Sequence, residues 1–134
     1  MKLNSLIPNL AVASVEQTIQ FYRDNLGFEV VVTVPPVDEK VADYLFAIVK
    51  KDGVSVMLQR SDSFREDVPF ATQVDIGASA SLFIDGEGIE ALHAKLKRNN
   101  LRITDTKVTS YGMKEFYLKD NNGYVLCFGE KVGQ

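Results

Sequence analysis

The chain has 134 residues and a mass of 14.9 kDa, enough for one ordinary domain with a real core and too little for two of normal size. It is 46% hydrophobic and 25% charged, with a net charge of −3 and a pI near 5.1, which argues against nucleic-acid binding and against recruitment to an anionic membrane. One cysteine excludes an intrachain disulfide framework, one histidine (His93) excludes chemistry that needs two imidazoles from one chain, and no apolar run approaches the ~20 residues of a membrane span.

In chain order, the opening MKLNSLIPNL is interrupted by Pro8 and Asn9 before a signal-peptide core could form, so a cytoplasmic protein is expected. Leu3–Val12 reads as a first strand. Ser14 and Gln17 have capping-box spacing, Val15, Ile19, Tyr22 and Leu26 recur at helical intervals, and Gly27 stands where a left-handed C-terminal cap belongs. Phe28–Val34 is a β-branched strand ended by Pro35-Pro36, and Asp38-Glu39 beyond it reads as a solvated loop. Ala42–Lys50 and Val54–Arg60 flank Asp52-Gly53, a strong hairpin signal. The polar stretch from Ser61 to Gly77 reads as a linker whose Phe64 and Phe70 cover a cavity mouth, meet a partner subunit or anchor it to its own surface. Ala78–Ile84 is the next strand. Asp85–Asn100 predicts a second helix with an Ile89, Leu92, Leu96 stripe, Lys95, Lys97 and Arg98 in its last turn, and Asn99-Asn100 to close it. Met113–Lys119 and Tyr124–Glu130 flank Asn122-Gly123 as a second hairpin.

The order is therefore β-α-β-β-β, linker, β-α-β-β-β. The hairpin glycines Gly53 and Gly123 stand 70 residues apart and open similar strands, GVSVML and GYVLCF. The expected fold is α+β: within one domain (1–134), a tandem pair of βαβββ modules (about 1–60 and 78–134, linker about 61–77) forms a curved, partly closed mixed sheet with helices outside. Alternation turns Val54, Val56, Leu58 and Tyr124, Leu126, Phe128 toward the helices, and Ser55, Met57, Gln59 and Val125, Cys127, Gly129 toward a concave side.

PNLAVASVEQTIQFYRDNLGFEV (Pro8–Val30) and FYLKDNNGYVLCFGE (Phe116–Glu130) resemble the opening strand–helix–FY…LGF stretch and the closing F-x-x-x-D-P-D-G-x hairpin of the vicinal oxygen chelate superfamily. That superfamily groups glyoxalase I, extradiol dioxygenases, fosfomycin-resistance enzymes and bleomycin-resistance proteins. Asn121 replaces the usual proline. The resemblance spans essentially the whole chain and is more specific for fold than for activity. It maps the four metal-ligand positions of metal-dependent members onto Ile7, Met57, Ser79 and Cys127, where His, Gln or Glu is usual. An aliphatic side chain donates nothing and a thioether is a poor donor to a hard ion. The implied reading is the metal-free, cofactor-free branch, typified by bleomycin-resistance proteins, which sequester a drug in a groove of a homodimer.

The candidate ligand-binding residues are Ile7, Asn9, Phe46, Met57, Gln59, Ser79, Ser81, Lys114, Phe116 and Cys127. Phe46, Lys114 and Phe116 join the set only if both hairpins have two-residue turns; a three-residue turn turns them to the other face. Lys114 then either meets an anionic group of a ligand or is a solvated charge at a strand end. Cys127 is expected to be buried and inert, and His93 to be a boundary residue. No P-loop, dinucleotide fingerprint, nucleophile elbow or pair of catalytic carboxylates occurs, so no catalytic residue is assigned. The expected function is metal-independent binding of a small, partly apolar molecule. The alternative is a glyoxalase-like lyase, isomerase or dioxygenase with displaced metal ligands, Gln59 and Glu115 supplying donors. A third possibility is a structural or regulatory module whose concave face is filled by its own side chains or a second subunit.

Overall fold

A computed structural model describes residues 1–34, 42–71, 75–77 and 79–133. Pro35-Pro36, Asp38-Glu39 and Ala78 lie outside the described residues. The elements are β1 (Asn9–Val12), α1 (Val15–Leu26), β2 (Glu29–Val34), β3 (Phe46–Lys51), β4 (Val54–Arg60), α2 (Ser61–Asp67), β5 (Ser81–Asp85), α3 (Ile89–Arg98), β6 (Lys107–Val108), β7 (Met113–Lys119) and β8 (Val125–Lys131), with a 3-10 turn at Pro69–Ala71. They fall into two compact units, Met1–Ile76 and Gly77–Gln134. Each unit holds an open, mixed four-stranded sheet, ordered β1-β4-β3-β2 in the first and β5-β8-β7-β6 in the second. In both, the strand before the helix pairs in parallel with the last strand, and the hairpin is antiparallel. The expected α+β fold of tandem βαβββ modules is thus present, each module with its own four-stranded mixed sheet.

The helices form where their ends are satisfied. Ser14 Oγ accepts from Gln17 N (3.1 Å), and the Asp43 carboxylate accepts from Val15 N (2.9 Å) and Glu16 N (2.8 Å). That places an acceptor and an anion at the positive end of α1. Gly27 closes the helix at φ 76°, a left-handed conformation that costs a Cβ-bearing residue more. In the second unit Glu130 Oε1 takes the corresponding role, accepting from Gly88 N (3.0 Å) and Ile89 N (3.1 Å). The segment around Asp43 is therefore a helix cap and not the early part of a strand, which begins at Phe46. Leu3 and Leu6 are exposed, and the first strand shortens to β1.

The helices α1 and α3 each bury a stripe on one sheet face. Val12, Val15, Ile19, Tyr22, Leu26, Val49, Val56 and Leu58 are buried in the first unit, where Tyr22 meets Phe28 edge-on at 5.6 Å between centroids. Ile89, Leu96, Phe116, Leu118, Leu126 and Phe128 are buried in the second. The presumed linker is not featureless: Ser61–Asp67 is α2, entered where Arg60 Nε and Nη2 fork onto the Asp62 carboxylate at 2.8 and 2.9 Å. This fork holds Asp62 below the usual carboxylate range. Sequence patterning missed α2 because none of its residues is buried, so it carries no apolar stripe.

Candidate functional site

The two sheet faces turned away from the helices carry most of the predicted site residues, one group in each unit. In the first unit the Asp52-Gly53 turn has two residues between the paired Lys51 and Val54, with Asp52 at φ 51°. This register sets Phe46 opposite Gln59 and Ile48 opposite Met57. Val32 pairs with Ile48 and Val34 with Phe46 across a register shift in β2, so the edge strand extends the same apolar face. Val32 and Val34 remain exposed.

At one end of this face lies a chain of polar side chains. Gln59, only 5% exposed, donates both protons of Nε2, to Asp67 Oδ2 (2.7 Å) and Ser63 Oγ (3.0 Å). Because the Asp67 carboxylate accepts and does not donate, the orientation of the Gln59 amide is fixed. Its Oε1 then accepts from Asn9 Nδ2 at 2.9 Å. Asn9 Oδ1 is left buried and, among the described residues, without a donor. Such an acceptor costs about 1–3 kcal/mol unless something donates to it. The α2 residues Ser63 and Asp67 were missed in the sequence; the polar run SDSFRED was the only signal for them.

The second hairpin departs from the first. Asp120 N donates to the Tyr124 carbonyl (2.9 Å), and Asp120 Oδ1 accepts from Asn122 N (2.8 Å) and Tyr124 N (2.9 Å), leaving a three-residue turn. The face of β7 is therefore reversed. Phe116 is 1% exposed on the helix side, stacked on Phe128 at 5.4 Å and met edge-on by His93 at 5.0 Å. Lys114 likewise leaves the shared face and pairs with Glu90 of α3 at 3.3 Å. Both were expected on the concave side, and the extra turn residue is the reason they are not. His93, whose Nε2 donates to the Thr104 carbonyl at 2.9 Å, is on the helix side as expected.

In their place Met113, Glu115 and Tyr117 share the open face with Gly129 and Cys127, and Phe83 pairs beside Cys127. Glu115, 8% exposed, accepts from the Tyr111 hydroxyl at 2.9 Å. That hydrogen bond pushes the Tyr111 hydroxyl up. Burial pushes the Cys127 thiol up and the neighbouring Glu115 charge pushes it further. Tyr117, opposite Cys127, is raised chiefly by the charge that a Cys127 thiolate would carry. A protonated, buried thiol is a poor nucleophile and a poor metal ligand.

The remaining predicted residues sit at strand margins. Ile7 is exposed just before β1, Ser79 is exposed just before β5, and Ser81 begins β5 opposite Val125. The positions mapped to metal ligands thus offer an alkyl group and a thioether in the first unit, and a hydroxyl and a raised thiol in the second. This donor set does not fit a divalent cation. Among the described residues no group of three or more His, Cys, Asp or Glu is placed to hold a metal ion, and no helix is long and apolar enough to cross a membrane.

Comparison with known proteins follows the same lines. Similar solved structures include a glyoxalase-related enzyme from Clostridium phytofermentans (TM-score 0.73, 18% identity, 98% of this chain and 98% of that one). A second is TnmS3, an antibiotic binding protein from Streptomyces sp. CB03234 (TM-score 0.74, 19% identity, 98% and 99% covered). A third is a member of the glyoxalase/bleomycin resistance protein/dioxygenase superfamily from Sphaerobacter thermophilus DSM 20745 (TM-score 0.73, 19% identity, 96% and 98% covered). No curated protein matches the chain significantly. At these identities the structural likeness speaks for the fold alone, whereas the sequence model of one family matches residues 2–128. The chain belongs to the Glyoxalase/Bleomycin resistance protein/Dioxygenase superfamily.

Proposed function

We propose that the protein binds and sequesters a small, partly apolar molecule without a metal ion, using the open face of its first unit. The observation that carries this reading is the buried acceptor Asn9 Oδ1, without a donor among the described residues, at the end of a chain in which Gln59 has its oxygen and both amide protons engaged. Beside it lie Phe46, Ile48, Met57, Val32 and Val34, so the face offers apolar contact and one fixed acceptor, the pattern of a small-molecule site. Family membership and the antibiotic-binding description of TnmS3 support it. The donor set at the mapped ligand positions supports metal independence, and Gln59, offered above as a displaced ligand, already has its oxygen and both amide protons engaged. In this reading the protein acts in the cytoplasm as a homodimer, and light scattering should give twice 14.9 kDa.

The test uses indole, an apolar ring with one N–H donor, and 1-methylindole, which lacks that donor. Calorimetry should show indole binding at least ~10-fold tighter than 1-methylindole, a margin of about 1.4 kcal/mol. Asn9→Leu should erase the difference, and EDTA should leave it unchanged. Equal binding of the two probes, or binding that requires added Ni, Zn, Mn or Fe, would overturn the reading.

A further inference from the structure

A groove of about 490 Å³ lies wholly within the second unit, lined by Arg102, Ile103, Thr104, Tyr117, Lys119 and Val125 together with Leu118. Its construction follows from backbone pairing. Lys119 N donates to the Arg102 carbonyl (2.9 Å), Thr104 N to the Tyr117 carbonyl (3.0 Å), and Tyr117 N to Thr104 Oγ1 (2.9 Å). Residues 102–104 thereby act as a short extra strand beside β7. Ile103 bridges to Leu118, which is buried on the helix side. Alternation then turns Arg102 and Thr104 to the opposite face, the one shared by Tyr117, Lys119 and Val125, the last two being ladder partners. Two cations thus stand side by side at the margin of an otherwise apolar trough. Among the described residues neither forms an ion pair, and no carboxylate lines the groove, although the chain as a whole is net negative.

We infer that this groove is a binding site for an organic monoanion, a carboxylate attached to a flat or branched apolar body. The planar guanidinium of Arg102 matches a carboxylate with two parallel N–H donors, while the Lys119 ammonium adds a point charge from the neighbouring strand. The apolar body covers Val125 and the half-exposed Tyr117 ring, surface that is otherwise in contact with water. A neutral ligand would gain the apolar contact alone. An inorganic anion would gain the charge alone, screened by salt at so open a site. The site shares no residue with the Asn9–Gln59 chain, so either can fail without the other.

The experiment is calorimetry on the full chain with 1-naphthoate, and with 1-naphthalenemethanol as the neutral control. The acid should bind one site at least ~10-fold tighter than the alcohol, and its affinity should fall as salt rises. Arg102→Ala and Lys119→Ala, both at exposed positions, should each weaken the acid about 5–10-fold. Arg102→Lys should recover part of the loss, and Gln59→Leu should leave acid binding unchanged. Absence of acid binding, equal binding of the alcohol, or full affinity in both alanine variants would overturn the assignment. So would loss of binding in Gln59→Leu with retention in Arg102→Ala, which would put the acid in the first unit.

Discussion

The two units share one topology and one hairpin position, yet their open faces have opposite chemistry because their turns differ by one residue. In the first unit, the turn at Asp52-Gly53 keeps Phe46 and Ile48 level with Gln59 and Met57, giving an apolar floor beside an amide relay. In the second, the longer turn at Asn121–Gly123 sends Phe116 and Leu118 into the core and brings Glu115 and Tyr117 out. Strand alternation has period two, so one added residue exchanges every side chain of β7 between core and open face. Internal repetition therefore preserved the scaffold while leaving each unit a different surface.

The sharpest way to break this comparison is to truncate corresponding aromatics. Phe116→Ala should cost about 3–5 kcal/mol, since the ring is fully buried between Phe128 and His93. Phe46→Ala, on the half-buried open face, should cost well under half as much. Urea denaturation of both would test it, and equal losses would mean that the two hairpins present the same face. Next in size is Gln59→Leu, which takes away the acceptor of Asn9 Nδ2 and releases the exposed Asp67 carboxylate to water, and should cost about 1–3 kcal/mol. A neutral outcome would show that the relay does not hold together.

A smaller effect sharpens the picture of the second face. A Cβ at Gly129 would lie 2.7 Å from two carbons of the Phe83 ring, but Phe83 is 54% exposed and can swing toward solvent. Gly129→Ala should therefore cost about 1 kcal/mol, the low end of overpacking, and much less in a Phe83→Ala background. Additive losses in the double variant would remove the contact. The smallest effect is the pH response of Cys127. Its folded thiol holds its proton beyond the ordinary value of 9.0, so this contribution to stability is complete below that value and is lost as pH rises through the raised one. Labelling with a disulfide reagent should accordingly remain slow at pH 8. Rapid labelling of the folded protein would show an accessible thiolate.

Much of the scaffold could be read from residues whose local physics is decisive. Ser14, Gly27 and the Ile19–Tyr22–Leu26 stripe specify α1 by themselves, and Asp-Gly and Asn-Gly mark both hairpins. Alternation also placed Asn9, Phe46, Met57 and Gln59 on one face of the first sheet. What remained hidden depended on long-range geometry. Asn122-Gly123 suits either turn length, and the choice follows from Asp120 binding back to Asn122 and Tyr124. Asp67 gives no sign in sequence that it holds Gln59, and Arg102 none that it stands beside Lys119.

The claim that the first unit reads a ligand's donor through Asn9 is tested most directly by the side-chain amide resonances of the folded chain during an indole titration. The account predicts that the Asn9 NH₂ signals and the backbone signals of Phe46 and Met57 shift together, while those of Arg102 and Lys119 stay in place. Shifts confined to the second unit, or none at the Asn9 amide at saturation, would contradict it.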